Sequence, residues 1–566
     1  MNLIRKIKGD ESDVSEPSEC AAPPFAENIH KINMQPLKDP RSKSNKYVLQ
    51  FHTESPKELK EMRERARQSL EYATEQQMEI DNNYFIGYGF PHRPDWNFKM
   101  SKDVLLANEE RYFFKYITNM EKTHYDDMRN LSFCELNLET WRQLWRVLEL
   151  SDIVLVVADA RFPALMFPPS LYDFVHRELN KSMVIVLNKI DLVEASAVLA
   201  WKKYFETEYP TISVVLFTSC PAYNLRGNQE NKTGMKIRRR RGKQRMASEG
   251  ALGVFKACSA IVGDAVDLNN WEQKILDEMQ SVNPTDDDDD DDEAGGVQAE
   301  KTHEEEKDFD FEQHVLYKNG VLTVGCIGFP NVGKSSLLNA LMGKKVVSVS
   351  RTPGHTKHFQ TIFLTNTVRL CDCPGLVFPS CTPRTLQVLM GSFPIAQLRE
   401  PYNTIRFLAE RIDIPALLSV VHPEGKGEEW SAMDICDAFA LKRGFLTAKA
   451  ARPDTYRAAN SILRMALDGK ITLSLKPVGF SFKQQFWENH TELDSVKAIQ
   501  ALGKPDIKVD DYEYSDSDNE NGKVSSDYKM KQKLKTKNEI ESEEEEEEVE
   551  ASVSNAYSML LDTGDM

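Results

Sequence analysis

The segment Val321–Gly343 constrains the fold more than any other part of the chain. It begins with an apolar strand pattern, VLTVGCIGF, passes through a glycine-rich turn, and ends in a helical pattern, SSLLNALMG. The turn reads Gly328-x-x-x-x-Gly333-Lys334-Ser335. A strand, this turn and a helix in succession predict a phosphate-binding loop, because glycines let backbone N–H groups surround phosphates and the helix N-terminus adds its dipole.

The loop supplies most of the candidate phosphate contacts. Lys334 is predicted to reach the β- and γ-phosphates and to act in catalysis, and Ser335 is predicted to bind Mg²⁺. The predicted nucleotide contacts of this segment are Gly328, Phe329, Pro330, Asn331, Val332, Gly333, Lys334, Ser335 and Ser336.

A second phosphate element follows downstream. Asp372 ends a strand pattern, VRLCD, and is followed by Cys373, Pro374 and Gly375. A phosphate-binding loop needs a carboxylate here for the magnesium shell and a backbone N–H for the γ-phosphate. The intervening loop, SRTPGHTKHFQ, contains Thr356, which can close on Mg²⁺ and the γ-phosphate if the loop folds over the site. A solvated loop is the alternative.

The guanine-reading motif lies upstream of the phosphate loop instead of downstream. NKID follows the apolar strand pattern MVIVL, and Asp191 in it can accept two hydrogen bonds from guanine, which adenine cannot donate. Ligands bind at the carboxyl ends of parallel strands whatever the chain order, so both halves can form one pocket. The order predicts a circular permutation and binding of GTP and GDP. The predicted base contacts are Asn188, Lys189, Asp191, Thr218, Ser219 and Cys220.

Six motifs, taken in their order along the chain, are similar to those of a known family. DAR at Asp159–Arg161, NKID, TSC, GFPNVGKS, TPGHTKH and DCPGLVFP resemble the circularly permuted GTPases of the ribosome-assembly kind. The resemblance covers the chain from about Leu136 to Asn489. It implies a nucleotide-dependent switch that acts in ribosome assembly and contacts preribosomal RNA and ribosomal proteins.

The resemblance also bears on the catalytic mechanism. Leu376 stands where Ras-like GTPases keep the glutamine that orients the attacking water, which implies slow turnover. Asn331 matches the position that coordinates a potassium ion bridging the phosphates in related enzymes. Such an ion would supply charge in the transition state. The alternative is that Asn331 only stabilises the turn.

The predicted fold class is α/β, with a circularly permuted P-loop GTPase domain followed by an α-helical domain. Apolar runs separated by helical patterns indicate a mostly parallel sheet with helices on both faces. The predicted divisions are a polar N-terminal extension at 1–100, a guanine-reading half at 101–282, an acidic disordered insert at 283–310, a phosphate-binding half at 311–382, an α-helical domain at 383–503 and an acidic disordered tail at 504–566.

Charge is distributed unevenly along the chain. The formal net charge of -17 includes blocks of seven Asp at 286–292 and six Glu at 543–548, which are expected to bind basic proteins. The basic run KIRRRRGKQR at 236–245 is an import signal, an RNA contact or a solvated loop. Ser515 and Ser517 are candidate acidophilic kinase sites or part of a plain tail.

Composition also limits the compartment. No apolar run reaches the roughly 18 residues that span a bilayer, so no membrane partner is expected. Nine Cys without paired short spacings indicate reduced thiols in a cytosolic or nuclear protein. The expected localisation is the nucleus or nucleolus and the cytoplasm, and the expected state is a monomer. Two functions remain open: an enzymatic switch in ribosome assembly, and a GTP-dependent protein scaffold or regulator with negligible hydrolysis.

Overall fold

The computed structural model describes residues 54–97, 99–123, 131–219, 248–280, 315–347, 359–425, 429–447 and 452–500. Thr356, Cys220, the basic run, both acidic blocks and the two candidate phosphorylation sites lie outside these ranges. The strands are β1 (Glu79–Ile80), β2 (Ile153–Asp159), β3 (Ser182–Asn188), β4 (Ser213–Leu216), β5 (Leu322–Ile327), β6 (Gln360–Thr365), β7 (Val368–Asp372) and β8 (Lys476–Pro477).

The α-helices lie between and after these strands. In chain order they are α1 (Pro56–Ala66), α2 (Lys102–Thr123), α3 (Leu138–Leu150), α4 (Pro169–Asp173), α5 (Ala195–Glu208), α6 (Ser248–Val262), α7 (Asn269–Gln280), α8 (Lys334–Met342), α9 (Arg384–Met390), α10 (Tyr402–Ala409), α11 (Ile414–Leu418), α12 (Ala432–Arg443), α13 (Thr455–Leu467), α14 (Gln484–Glu488) and α15 (Leu493–Ile499). No helix in the described ranges is both long and apolar enough to cross a membrane.

Six of the strands form one sheet in the order β4-β3-β2-β5-β7-β6. Every neighbouring pair is parallel except β6 and β7, which are antiparallel. Every residue of the central strands β2 and β5 is buried, which explains their continuous apolar sequences. The predicted α/β class with a mostly parallel sheet is confirmed.

The topology brings distant parts of the chain to one edge of the sheet. Strand β2 pairs in register with β3, so that Asp159 lies opposite Asn188. On its other side β2 pairs with β5, although more than a hundred residues of chain separate the two strands. Strand β5 pairs in turn with β7, which places Cys326 opposite Asp372. The carboxyl ends of the two halves therefore lie side by side, as a circular permutation requires.

Helices α9 to α13, called the C-terminal helices below, follow the sheet. Local signals in the sequence mark their ends. Ser431 caps α12 by accepting a hydrogen bond from the Asp434 N–H at 3.2 Å, and the Asp434 carboxylate accepts one from the Ser431 N–H at 3.0 Å. The helix stops at Gly444, which adopts a positive φ of 66°.

Residues 54–97 also pack on the C-terminal helices, although the sequence predicts them to be part of a polar N-terminal extension. The Leu70 N–H donates to the Trp430 carbonyl at 2.9 Å, and the Ala73 N–H donates to the Glu410 carbonyl at 2.8 Å. Strand β1 pairs in parallel with β8, near the end of the described chain. These contacts tie the N-terminal part of the described chain to its C-terminal part.

Candidate functional site

The loop after β5 has a backbone that requires glycine at two positions. Gly328 and Gly333 have φ values of 146° and 97°. A Cβ on Gly328 would lie 2.4 Å from the carbonyl oxygen of Val157, and one on Gly333 would lie 2.5 Å from Asn188 Nδ2. Asn331, between them, also has a positive φ, 59°. The loop therefore lies directly against β2 and β3, and helix α8 begins immediately after it.

Lys334 is buried inside this loop. Its Nζ donates to the carbonyl oxygens of Gly328 at 3.0 Å and Phe329 at 2.8 Å, and the residue is only 7% exposed. Burial lowers the pKa of the Lys334 ammonium, although the Asp372 carboxylate partly opposes that effect. A buried ammonium held by two carbonyls at the start of a helix is suited to binding an anionic group.

The guanine-reading loop contacts the phosphate loop directly. Asn188 Nδ2 donates to the Val332 carbonyl at 2.8 Å, and Asn188 Oδ1 accepts from Ser219 Oγ at 2.9 Å. Lys189 Nζ donates to the Asn331 carbonyl at 2.5 Å. The structure thus brings together residues that are about 140 positions apart in the chain.

Asp191, the predicted base-reading carboxylate, is held by the second base loop. Its Oδ1 accepts a hydrogen bond from Thr218 Oγ1 at 3.0 Å, and both residues are buried. The hydrogen bond fixes one carboxylate oxygen of Asp191. Cys220, the third predicted residue of this second loop, lies outside the described residues.

The loop after β7 approaches the phosphate loop closely. A Cβ on Gly375 would lie 2.7 Å from Pro330 Cα and 3.1 Å from Lys334 Nζ. The Leu376 N–H donates to the Gly328 carbonyl at 3.2 Å. Cys373 and Pro374 belong to this segment, and Ser336 lies in the first turn of α8. Only glycine at position 375 permits this approach.

A carboxylate and a hydroxyl meet beside Lys334. Ser335 Oγ donates to Asp372 Oδ2 at 2.8 Å. Among the described residues, the other oxygen, Asp372 Oδ1, is buried without a hydrogen-bond partner. Burial raises the pKa of the Asp372 carboxyl, and the nearby Lys334 charge and the Ser335 hydrogen bond oppose that rise. An unpartnered buried carboxylate oxygen next to a serine hydroxyl fits a site for a hard divalent cation.

Comparisons with known proteins agree with this geometry. Residues 323–435 match a family described as 50S ribosome-binding GTPase. Guanine nucleotide-binding protein-like 1 of Homo sapiens is 45% identical over 493 residues, which cover 84% of this chain and 81% of that protein. The chain belongs to the guanine nucleotide-binding protein-like 1 family. The Mus musculus member is 44% identical over 503 residues, with 84% and 81% covered. Large subunit GTPase 1 homolog of Homo sapiens is 30% identical over 475 residues, with 72% and 70% covered.

The family resemblance that the motifs predict is therefore confirmed. As a member of the guanine nucleotide-binding protein-like 1 family, the chain is a GTPase that binds guanine nucleotides. The phosphate loop and Asp191, which the sequence predicts to bind the phosphates and the base, lie in the two segments that the contacts of Asn188 and Lys189 join.

Mg²⁺, the usual partner of GTP in this class, would be held by Ser335 and Asp372. When bound, it would neutralise negative charge that develops on the phosphates during hydrolysis. Thr356, the third predicted ligand, lies outside the described residues. The chain's own contribution is to hold the Ser335 hydroxyl against the Asp372 carboxylate, close enough to Lys334 for its charge to act on that carboxylate.

We expect Asp372→Asn to raise the Tm of the protein in EDTA at neutral pH. The raised pKa means that the folded chain binds the proton more tightly than the unfolded chain. Stability is therefore lost as the pH rises from the unfolded pKa through the folded pKa of Asp372. At neutral pH the ionised carboxylate destabilises the folded chain. Each 1 kcal/mol gained in the free energy of unfolding should raise the Tm by about 2 °C.

The same variant should lose the stabilisation that GTP with Mg²⁺ confers on the wild type. Asp152→Asn is the matched control, because the buried Asp152 carboxylate accepts hydrogen bonds from the Thr323 N–H at 2.7 Å and the Tyr317 N–H at 3.2 Å. That variant should lower the Tm and keep the response to Mg²⁺. A lower Tm for Asp372→Asn in EDTA, with the Mg²⁺ response intact, would remove Asp372 from the metal site.

Proposed function

We propose that the chain is a slow GTPase that acts as a nucleotide-dependent switch in ribosome assembly. The observation that carries slow turnover is Leu376, whose side chain is fully buried beside the phosphate loop. Ras-like GTPases place a glutamine there to orient the attacking water, and a leucine side chain has no polar atom for that task. Support for ribosome assembly comes from the 50S ribosome-binding description of the matching family and from the name of the large subunit GTPase relative.

In this proposal each residue of the site has a separate role. Lys334 binds the phosphates, while Ser335 and Asp372 hold Mg²⁺. Asp191 selects guanine, with Thr218 fixing its carboxylate. None of these groups orients the attacking water, so fast hydrolysis requires a partner or an added cation. The switch would stay in its GTP form until it reaches that partner.

Asn331 is the proposed ligand of a potassium ion. Its Nδ2 donates to the Gly391 carbonyl at 3.0 Å, and a Cβ on Gly391 would lie 3.1 Å from that nitrogen. The amide nitrogen is thus turned toward the C-terminal helices, and the amide oxygen is the atom that would bind the ion. The same contact is what a purely structural role in the turn would use, so an experiment must separate the two roles.

Replacing sodium with potassium at constant ionic strength should raise basal GTP hydrolysis by about tenfold or more, because every 1.36 kcal/mol of transition-state stabilisation gives a factor of ten. Asn331→Ala should abolish the difference, and Asn331→Asp, which keeps an oxygen and loses the donor to Gly391, should retain it. GDP binding should survive in both variants. Equal rates in the two salts, with GTP binding demonstrated, would exclude the cation mechanism.

The ribosome role is tested by sedimentation. Wild-type protein loaded with a non-hydrolysable GTP analogue should migrate with ribosomal particles on a gradient at physiological salt, and GDP-loaded protein should not. Lys334→Ala should stay at the top of the gradient with either nucleotide. Wild-type protein that stays at the top in both nucleotide states would contradict the proposal and favour the scaffold reading.

The remaining parts of the proposal concern partners and compartment. The basic run at 236–245, which lies outside the described residues, is proposed to contact preribosomal RNA or to direct import. RNA contacts of this kind weaken steeply with salt, because cations are released from the phosphates when the protein binds. Nuclear or nucleolar residence together with cytoplasmic residence, and a monomeric state, complete the proposal.

A further inference from the structure

A buried ion pair lies beside the nucleotide site, in the DAR segment to which the proposed function assigns no role. Arg161 Nε donates to Asp159 Oδ1 at 3.0 Å, and Arg161 Nη2 donates to Asp159 Oδ2 at 2.8 Å. Asp159 is fully buried and Arg161 is 2% exposed. Burial opposes ionisation of Asp159, but the charges of Arg161 and Lys189 outweigh it and hold the pKa of that carboxyl well below its usual range.

The pair contacts the guanine-reading loop through Lys189. Lys189 Nζ donates to Asp159 Oδ2 at 2.8 Å and to the Asn331 carbonyl at 2.5 Å. Lys189 itself has a positive φ of 61°, an uncommon conformation for a residue with a side chain. The Asp159 carboxylate therefore holds the lysine of the NKID motif against the phosphate loop.

The pair also contacts the C-terminal helices. Arg161 Nη1 donates to the carbonyl of Ala466 at 2.9 Å. Ala466 lies in the last turn of α13, and its carbonyl also accepts a hydrogen bond from the Gly469 N–H at 3.3 Å. The Leu475 N–H, in the segment that follows α13, donates to the Arg161 carbonyl at 2.9 Å. One arginine thus joins the end of α13 to the carboxylate that holds Lys189.

A second contact between α13 and the guanine-reading loop lies close by. Gly469, just after α13, has a φ of 73°, and a Cβ there would lie 2.8 Å from Leu192 Cδ1. Leu192 directly follows Asp191. The turn after α13 therefore packs against the residue next to the base-reading carboxylate, independently of the ion pair.

We propose that the packing of α13 sets how tightly the guanine-reading loop holds its nucleotide, through the positioning residues Asp159 and Arg161 and through the contact of the Gly469 turn with Leu192. Because such coupling is reciprocal, bound nucleotide stabilises the packing of α13 to the same extent. A partner that displaces α13 would speed nucleotide release. The inference rests on nucleotide binding at this site and not on the role in ribosome assembly.

The first test compares two glycines of the C-terminal helices. Gly469→Ala forces a side chain toward Leu192, whereas Gly444→Ala introduces a residue at a similar positive φ, 66°, with no described atom within 4 Å of the new Cβ. Both changes strain the backbone after a helix, so both should lower the Tm. Only Gly469→Ala should accelerate the release of fluorescent N-methylanthraniloyl-GDP, by about fivefold or more, while Gly444→Ala should stay within about twofold of wild type.

The second test asks whether Asp159 acts through Lys189. Asp159→Asn should speed release of the same GDP probe by about fivefold, and in a Lys189→Met background the same change should alter release by less than about twofold. Glu109→Gln is the control, because the buried Glu109 carboxylate bridges Arg93 and Arg142 at 2.8 Å each, and none of these three residues is a predicted nucleotide contact. It should lower the Tm without changing release.

The results have clear readings. The proposal is supported if GDP release is faster in Gly469→Ala and Asp159→Asn but not in the two control variants. It also requires that Asp159→Asn has little effect in the Lys189→Met background. Equal release in the two glycine variants, or an Asp159 effect of the same size with and without Lys189, overturns it. If Asp159→Asn does not fold, the glycine comparison decides alone. Loss of GDP binding in wild-type protein would instead contradict the nucleotide site itself.

Discussion

Lys334→Ala should weaken the binding of both GDP and GTP by about a hundredfold or more. Truncating one partner of a buried, hydrogen-bonded charge pair costs about 2–5 kcal/mol, and every 1.4 kcal/mol is a factor of ten in affinity. The Lys334 ammonium is buried and already held in place by two loop carbonyls, so little conformational entropy is lost when it meets the phosphates. Isothermal titration with each nucleotide measures the effect.

Lys345→Ala is the matched control for this prediction. Lys345 follows α8 and is exposed, so its removal changes the net charge by the same amount without touching the loop. Its affinity for both nucleotides should stay within about twofold of wild type, because exposed charges contribute little. Tight binding of GDP by folded Lys334→Ala protein would contradict the assignment of the phosphate loop.

Asp191→Asn should exchange the preference for guanine for one for xanthine. The carboxylate accepts hydrogen bonds from guanine N1 and the exocyclic amine, whereas an amide offers a donor to the 2-carbonyl of xanthine. Sites that pair buried polar groups with a base reject the mismatched analogue strongly, so GTP affinity should fall by at least about a hundredfold. XTP affinity should rise, and competition with a fluorescent GDP probe measures both.

ATP competition and the preserved fold are the controls for Asp191→Asn. ATP should remain a poor competitor for wild type and variant, since adenine matches neither side chain. The hydrogen bond from Thr218 to Asp191 can be kept by the amide oxygen of the variant, so the fold should be preserved. Unchanged GTP affinity with no gain for XTP would show that Asp191 does not read the base.

Much of the sheet could be predicted because its central strands are buried on both faces. The pattern VLTVGCIGF predicts a strand where the structure has Leu322–Ile327, and IVLVVADA predicts one where it has Ile153–Asp159. Continuous apolar runs of this length, bounded by polar loops, leave few alternatives. The contacts between NKID and the phosphate loop were also predictable, because parallel strands place their carboxyl ends on one edge whatever the chain order.

Other features depend on contacts that leave little trace in a sequence. The pairing of β1 with β8 and the bonds from Leu70 and Ala73 use backbone atoms, which every residue type carries. The hydrogen bond from Arg161 to Ala466 spans 305 residues and also ends on a carbonyl. The DAR segment is visible as a motif, but its contact with α13 is visible only in three dimensions.

The two halves of the chain, which occur in reversed order, should form one guanine nucleotide site. Amide hydrogen exchange with and without GDP tests it most directly. GDP should slow exchange in both of the peptides that cover 187–192 and 328–336, which belong to different halves, and ATP should slow exchange in neither. Protection of only one of these peptides by GDP, or equal protection by ATP, would contradict it.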